Sequence, residues 1–154
     1  MPIYNFLKPG LLILLGLLAF IAFMPNKANA SSPLFVEVEV SGFKSDKGQV
    51  LCALFEGPEG FLKKGGKGAS QQITKVVEGK AICKLPLSKE GFYAVSIAHD
   101  LNEDGKMRLN AFGAALEPWG VSKNAPASQF GPPSFDQCKL DSKLSKKIQI
   151  SLNH

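Results

Sequence analysis

Histidine, arginine and tryptophan are scarce in this chain. It has two histidines in 154 residues, His99 and the terminal His154, and Arg108 is the only arginine. Tetrahedral and facial transition-metal sites draw on several nitrogen or sulfur ligands, so such a centre lacks its donors here. Nucleic-acid binders read their targets with bidentate arginines on a clustered basic face. The lysines instead scatter over Lys44, Lys47, Lys63, Lys64, Lys67 and Lys75, as on a solvated surface, and nucleic acid is not an expected partner. No serine occupies a Gly-x-Ser-x-Gly turn; Ser96 lies in a strand-like run and Ser122 in a loop. The nucleophile elbow is therefore missing. Nowhere does an apolar period of 3.6 residues persist, so no long amphipathic helix is expected.

One long apolar run is present. Leu11 to Phe23 is broken only by Gly16, follows the basic Lys8, and precedes the small-residue site Ala28-Asn29-Ala30. This pattern predicts an export signal over residues 1–30, cut after Ala30. The run is about 13 residues, short of the roughly 20 that span a bilayer, so no membrane span is expected after cleavage. No cysteine stands directly after it to take a lipid anchor. The remaining Ser31–His154 has 124 residues, and losing Lys8 and Lys27 lowers the formal charge from +5 to +3. That length suits one domain with a real core. Its expected location is the periplasm or the medium.

The cysteines Cys52, Cys83 and Cys138 all lie beyond the signal. An oxidising compartment favours a disulfide. Cys52 and Cys83 sit inside apolar strand-like runs and are expected to pair, although three connectivities are open. Cys138 is left as a core thiol or an intermolecular link.

Period-two alternation dominates the rest. Leu34, Val36, Val38 and Val40 alternate with Phe35, Glu37, Glu39 and Ser41, which predicts one apolar and one mostly polar face. After the turn signal Ser45-Asp46-Lys47-Gly48, a second strand is expected over 49–55. Glu56 to Ser70 holds five glycines and Pro58 and reads as a surface loop with a helical turn near Phe61. Further strands are expected over 71–77, 81–85, 91–98, 137–140 and 146–152, with an irregular region from Asp100 to Pro133. About seven short strands separated by turns predict an all-β, antiparallel sandwich of immunoglobulin-like outline.

One segment has a chemical pattern. Asp100, Asn102 and Asp104 stand at alternate positions, and Gly105 follows. Oxygens at every second residue converge on one hard cation when the chain curls, so the loop is a candidate calcium site. Its second half departs from that pattern. Arg108 holds the ninth position and Ala111 the twelfth, where a bidentate glutamate belongs. Glu117 and Glu103 are the carboxylates left to complete such a site. The alternative is an Asx-rich turn bonded to its own backbone. His99 precedes the loop and is either a hydrogen-bonded structural residue or, with Asp100 and Glu117, an acid–base group. Trp119, Phe112, Phe130 and Phe135 are either a ligand surface or a small core that pins the long loop.

Larger stretches resemble a known family. They are Tyr93-Ala94-Val95, His99-Asp100-x-Asn102-x-Asp104-Gly105-Lys106, Glu117-x-Trp119-Gly120-Val121-Ser122-x-Asn124 and Phe130-Gly131-Pro132-Pro133-Ser134-Phe135. Lys47 to Phe55 and Ala81-Ile82-Cys83 also fit. Together, over Phe35 to Leu152, they resemble the bacterial exported proteins grouped as domain of unknown function 2141. The resemblance implies a transthyretin-like single sandwich with Cys52 and Cys83 at the family's paired positions, and it assigns no activity. Arg108 stands where an acidic residue is usual and Ala115 where a proline is, which weakens the metal reading. The expected function is a non-enzymatic exported module that binds a ligand or envelope partner, with His99, Asp100, Asn102, Asp104, Glu117 and Trp119 at its functional edge.

Overall fold

The computed structural model describes residues 34–63, 65–127 and 131–154, so the expected export signal and Phe130 lie outside the described residues. Among the described residues the strands run in the order β1 Phe35–Ser41, β2 Gln49–Phe55, β3 Ser70–Thr74, β4 Ala81–Pro86, β5 Phe92–Asp100, β6 Trp119–Val121, β7 Leu140–Asp141 and β8 Lys147–Ser151. One sheet has the order β4-β1-β8; the other has β3-β2-β5-β6, with β7 added to the start of β5. The all-β sandwich expected from the alternation is present. One pairing departs from it: β8 lies parallel to β1, with Val38 opposite Ile148.

Alternation decides which residues face inward. Val36, Val38 and Val40 of β1 are fully buried, and so are Val50 and Leu54 of β2 and Tyr93 and Val95 of β5. With Leu85 and Ile150 they fill the space between the sheets. Each such side chain contributes about 1.5–3 kcal/mol of apolar burial. The intervening Glu37 and Glu39 point to solvent and pair with Lys147 at 2.9 Å and Lys80 at 3.0 Å. The Tyr93 hydroxyl donates to the Ser145 carbonyl. Burial pushes this phenol up to about 12, so it stays protonated through the physiological range.

The Cys52–Cys83 disulfide joins β2 of one sheet to β4 of the other, with Cα atoms 6.6 Å apart. Cys138 is a free, fully buried thiol, and burial pushes its pKa up. It is thus the core thiol of the two expectations.

β5 is covered on both faces. Its outward residues are the small Ala94, Ser96 and Ala98, and a second cluster of Phe55, Phe61, Val121, Ala125, Phe135 and Cys138 packs over Ala94. Phe61 stacks edge-on against Phe55 at 5.3 Å and Phe135 at 5.8 Å. Trp119 packs against this cluster from β6. The small-core reading therefore describes Phe135 and Trp119. Phe112 differs, being 96% exposed.

The open edges of both sheets are joined, which blunts edge-to-edge association. Trp119 N donates to Asn153 O at 3.1 Å, and Asn153 N donates back at 2.7 Å. Across the other edge, Lys84 N donates to the Gln72 side-chain oxygen at 2.6 Å.

Three expected strands need correction. Residues 137–140 do not form one strand: a short helix, α1, spans Phe135–Cys138, and β7 starts at Leu140. The signal was the pair Ser134 and Gln137. The Ser134 side chain accepts from Gln137 N, and the Gln137 side chain accepts from Ser134 N, a capping box. The strand expected over 71–77 ends at Thr74, since Val76 turns into the core and Val77 bridges Lys80. The strand expected over 91–98 runs on to Asp100, so His99 and Asp100 are strand residues.

Candidate functional site

The end of β5 and the 101–118 segment build one polar knot. Alternation puts His99 on the inner face with Val95 and Ile97, and Asp100 on the outer face. The register sets Gln49 of β2 opposite Asp100, and Gln49 Nε2 donates to Asp100 Oδ2 at 2.8 Å. Gly105 N donates to the same oxygen at 2.8 Å, and Asp104 N donates to Oδ1 at 3.3 Å. Burial opposes the charge of Asp100. The hydrogen bonds from Gln49, Gly105, Asp104 and Glu103 outweigh it and hold the carboxyl below its ordinary range. Gly48, at φ +81°, makes room for this turn; a Cβ there would stand 2.4 Å from Asp100 O.

Asp104 is used in the same way. Its Oδ1 accepts from Lys106 N at 2.9 Å and its Oδ2 from Asn102 Nδ2 at 2.9 Å. Glu103 takes a left-handed conformation, φ +58°, and pairs with Lys75, which also donates to Gly48 O at 3.2 Å. Glu117 closes the segment from its far end. It is buried, and its Oε1 accepts from Leu101 N at 3.1 Å and its Oε2 from Arg108 N at 3.0 Å. Arg108 Nε lies 3.4 Å from Oε1. One carboxylate thus clasps both ends of the 101–108 turn.

His99 belongs to a different environment. It is 1% exposed, its ring meets Phe43 edge-on at 5.0 Å, and its Nε2 lies 2.7 Å from Lys47 O. A carbonyl only accepts, so Nε2 is the donor. Among the described residues no hydrogen bond or ion pair joins His99 to Asp100 or Glu117. The structure therefore brings Asp100, Asn102, Asp104 and Glu117 onto one stretch of backbone, places His99 beneath them in the core, and sets Trp119 at the sheet edge.

Both oxygens of Asp100, Asp104 and Glu117 already accept hydrogen bonds from this chain. Among the described residues, no three His, Cys, Asp or Glu side chains gather where a metal ion could be held. A hollow of about 580 Å3 lined by Phe55–Glu59 and Lys67–Ala69 contains none of these residues.

Beside the knot, within the region expected to be irregular, stands a hairpin. Leu109 bridges Ala115, with Asn110 N donating to Ala114 O at 2.8 Å and Leu116 N to Arg108 O at 2.9 Å. Gly113 N donates to Asn110 O at 3.0 Å, closing a four-residue turn, and Gly113 itself lies at φ +82°. The Asn110 side chain accepts from Phe112 N and Ala114 N, both at 2.9 Å. The readable signal was Asn110 followed three residues later by Gly113. Phe112 forms the apex, with Leu109 and Leu116 exposed on the arms.

Comparison with curated proteins and with solved structures returns no match. A family model described as an uncharacterized protein conserved in bacteria (DUF2141) matches residues 38–150, the stretch from the middle of β1 to the end of β8, and the chain belongs to that family.

Proposed function

We propose that this protein is an exported, non-catalytic binding module of the bacterial envelope, cut after Ala30, and that it binds through the 109–116 hairpin. The inter-sheet disulfide is compatible with an oxidising compartment. Among the described residues no helix is long and apolar enough to cross a membrane.

The observation that carries the reading is the contrast between knot and tip. The polar groups of the knot are spent on its own backbone, with His99 turned to Lys47, which leaves no acid–base pair facing a common space. The tip is apolar, exposed and held in shape from below. Isolated exposed apolar side chains are ordinary, whereas several on one ordered protrusion mark an interaction site.

The test is co-sedimentation of the processed protein with an envelope fraction from its own host. Phe112→Ser is expected to lower the sedimenting share about tenfold, while Phe92→Ser, at an exposed site on another part of the sandwich, leaves it unchanged. Equal sedimentation of all three proteins would remove the hairpin from the binding site.

A calcium-stabilised structural module is the second reading. It is favoured by one observation, the gathering of the Asp100, Asn102 and Asp104 side chains around a single turn.

A further inference from the structure

Asp104-Gly105 is the only place in the chain where Asp or Asn precedes Gly. Glycine has no Cβ to hold its amide nitrogen away from the side chain before it. In this dipeptide, then, a backbone amide can turn on the neighbouring carboxyl. The other four aspartates precede Lys47, Leu101, Gln137 and Ser142, whose side chains crowd that approach. Asp104 and Gly105 are both exposed, so water reaches the link.

The reaction follows from the atoms present. Gly105 N attacks Cγ of the neutral Asp104 carboxyl. An N–Cγ bond forms, the amide proton and the carboxyl hydroxyl leave as water, and a five-membered imide results. Water then adds to the Asp104 carbonyl carbon, and the bond from that carbon to Gly105 N breaks. The α-carboxyl is set free and the chain runs through Cγ instead. One water is lost and one gained, so the mass is unchanged and nothing is oxidised or reduced.

The structure restrains both reacting groups. Gly105 N donates to Asp100 Oδ2 at 2.8 Å. Asp104 Oδ1 accepts from Lys106 N and Oδ2 from Asn102 Nδ2, both at 2.9 Å. For the imide to close, the amide must leave Asp100 and one carboxyl oxygen must leave its donor. Asp100 does not follow the amide. It is a fully buried strand residue, and Gln49 Nε2 donates to it at 2.8 Å. The nucleophile is thus tied to a fixed carboxylate, and hydrogen bonds to charged groups are the stronger class.

We infer that Asp104–Gly105 is a latent isomerisation site, and that the Asp100 carboxylate guards it by holding the Gly105 amide. The inference is independent of what the hairpin binds. Isomerisation lengthens the backbone between residues 104 and 105 by one atom. Gly105 N is then withdrawn from Asp100 and Lys106 N from the Asp104 side chain, and the turn beside the hairpin loses its shape.

The experiment holds the processed, oxidised protein warm at neutral pH, beside the same chain reduced and unfolded in guanidinium. After digestion, electron-transfer fragmentation of the peptide that contains 104–105 distinguishes the two linkages. The folded protein is expected to isomerise at least about tenfold more slowly than the unfolded chain. Asp100→Asn keeps the shape and removes the charge, and is expected to raise the folded rate by about tenfold. Gln49→Ala loosens Asp100 but leaves the oxygen that Gly105 N donates to, and its rate is expected to stay near that of the wild type. Melts confirm that both variants are folded at the incubation temperature.

Equal rates in the folded and unfolded wild-type chain overturn the guard, and this comparison needs no variant. Asp100→Asn that isomerises no faster than the wild type overturns it as well. A rise in Gln49→Ala as large as that in Asp100→Asn traces the protection to the general tightness of the turn and overturns its assignment to the Asp100 bond.

Discussion

Reduction of the Cys52–Cys83 bridge is expected to lower stability by about 3–4 kcal/mol, the chain-entropy value for a closed loop of about 30 residues. In a domain of this size that is a fall in thermal midpoint on the order of 10 °C. The bridge joins the two sheets across the core, from β2 to β4. The unfolded chain therefore gains the freedom to separate halves that the native fold holds together. Melts of oxidised and reduced protein measure the difference. Cys138→Ala serves as the control, because that thiol is free and its substitution leaves the bridge in place. A reduced protein that melts with the oxidised one would show that packing alone sets the midpoint.

Asp100→Ala is expected to be the most damaging change outside the hydrophobic core, at about 3–5 kcal/mol. It strips the acceptor from Gln49 Nε2 and from the amides of Asp104 and Gly105 at a buried position. Each stranded donor costs about 1–3 kcal/mol. The charge has its own signature in pH. The folded pKa of Asp100 lies below the ordinary carboxylate value. Its contribution is therefore complete above that ordinary value, about 4, and is lost as pH falls through the lower folded one. Asp100→Asn keeps the shape and removes the titration. Stability curves of the two proteins should converge in acid and separate toward neutral pH. Parallel curves would mean that the carboxylate charge adds nothing.

The sandwich was legible because its cause is local. Val36, Val38 and Val40 against Glu37 and Glu39 specify a strand and its buried face without reference to any partner. The pairing of Cys52 with Cys83 was legible for the same reason, since both sit at inward positions of such strands. What escaped depends on distant or short-range detail. The parallel pairing of β8 with β1 is set by where the chain arrives, not by the pattern of 147–151. The helix at Phe135–Cys138 is one turn long, and its cap at Ser134 and Gln137 is the only sign of it. In the site, the alternate Asp100, Asn102 and Asp104 were readable as a curled oxygen-rich turn. Their hydrogen-bond partners were not, because Gln49 and Gly48 lie some fifty residues upstream. Glu117, a carboxylate placed to complete a cation site by sequence, instead has Leu101 N, Arg108 N and the guanidinium as its partners. The hairpin was hidden because its apolar residues face solvent, the reverse of the rule by which strands are found.

The 100–117 segment is a preorganised scaffold, held by its own carboxylates, that presents the hairpin. Amide hydrogen exchange of the processed protein in chelator tests it most directly, read at Leu101, Asp104, Gly105, Arg108, Phe112 and Ala114. These amides donate to Asp100, Asn110 and Glu117 side chains. Exchange at least about tenfold slower than in an unfolded chain is expected at all six, including Phe112 at the exposed apex, and unchanged on adding calcium. Fast exchange through the segment would contradict the scaffold, and protection that appears only with calcium would transfer its support to the cation.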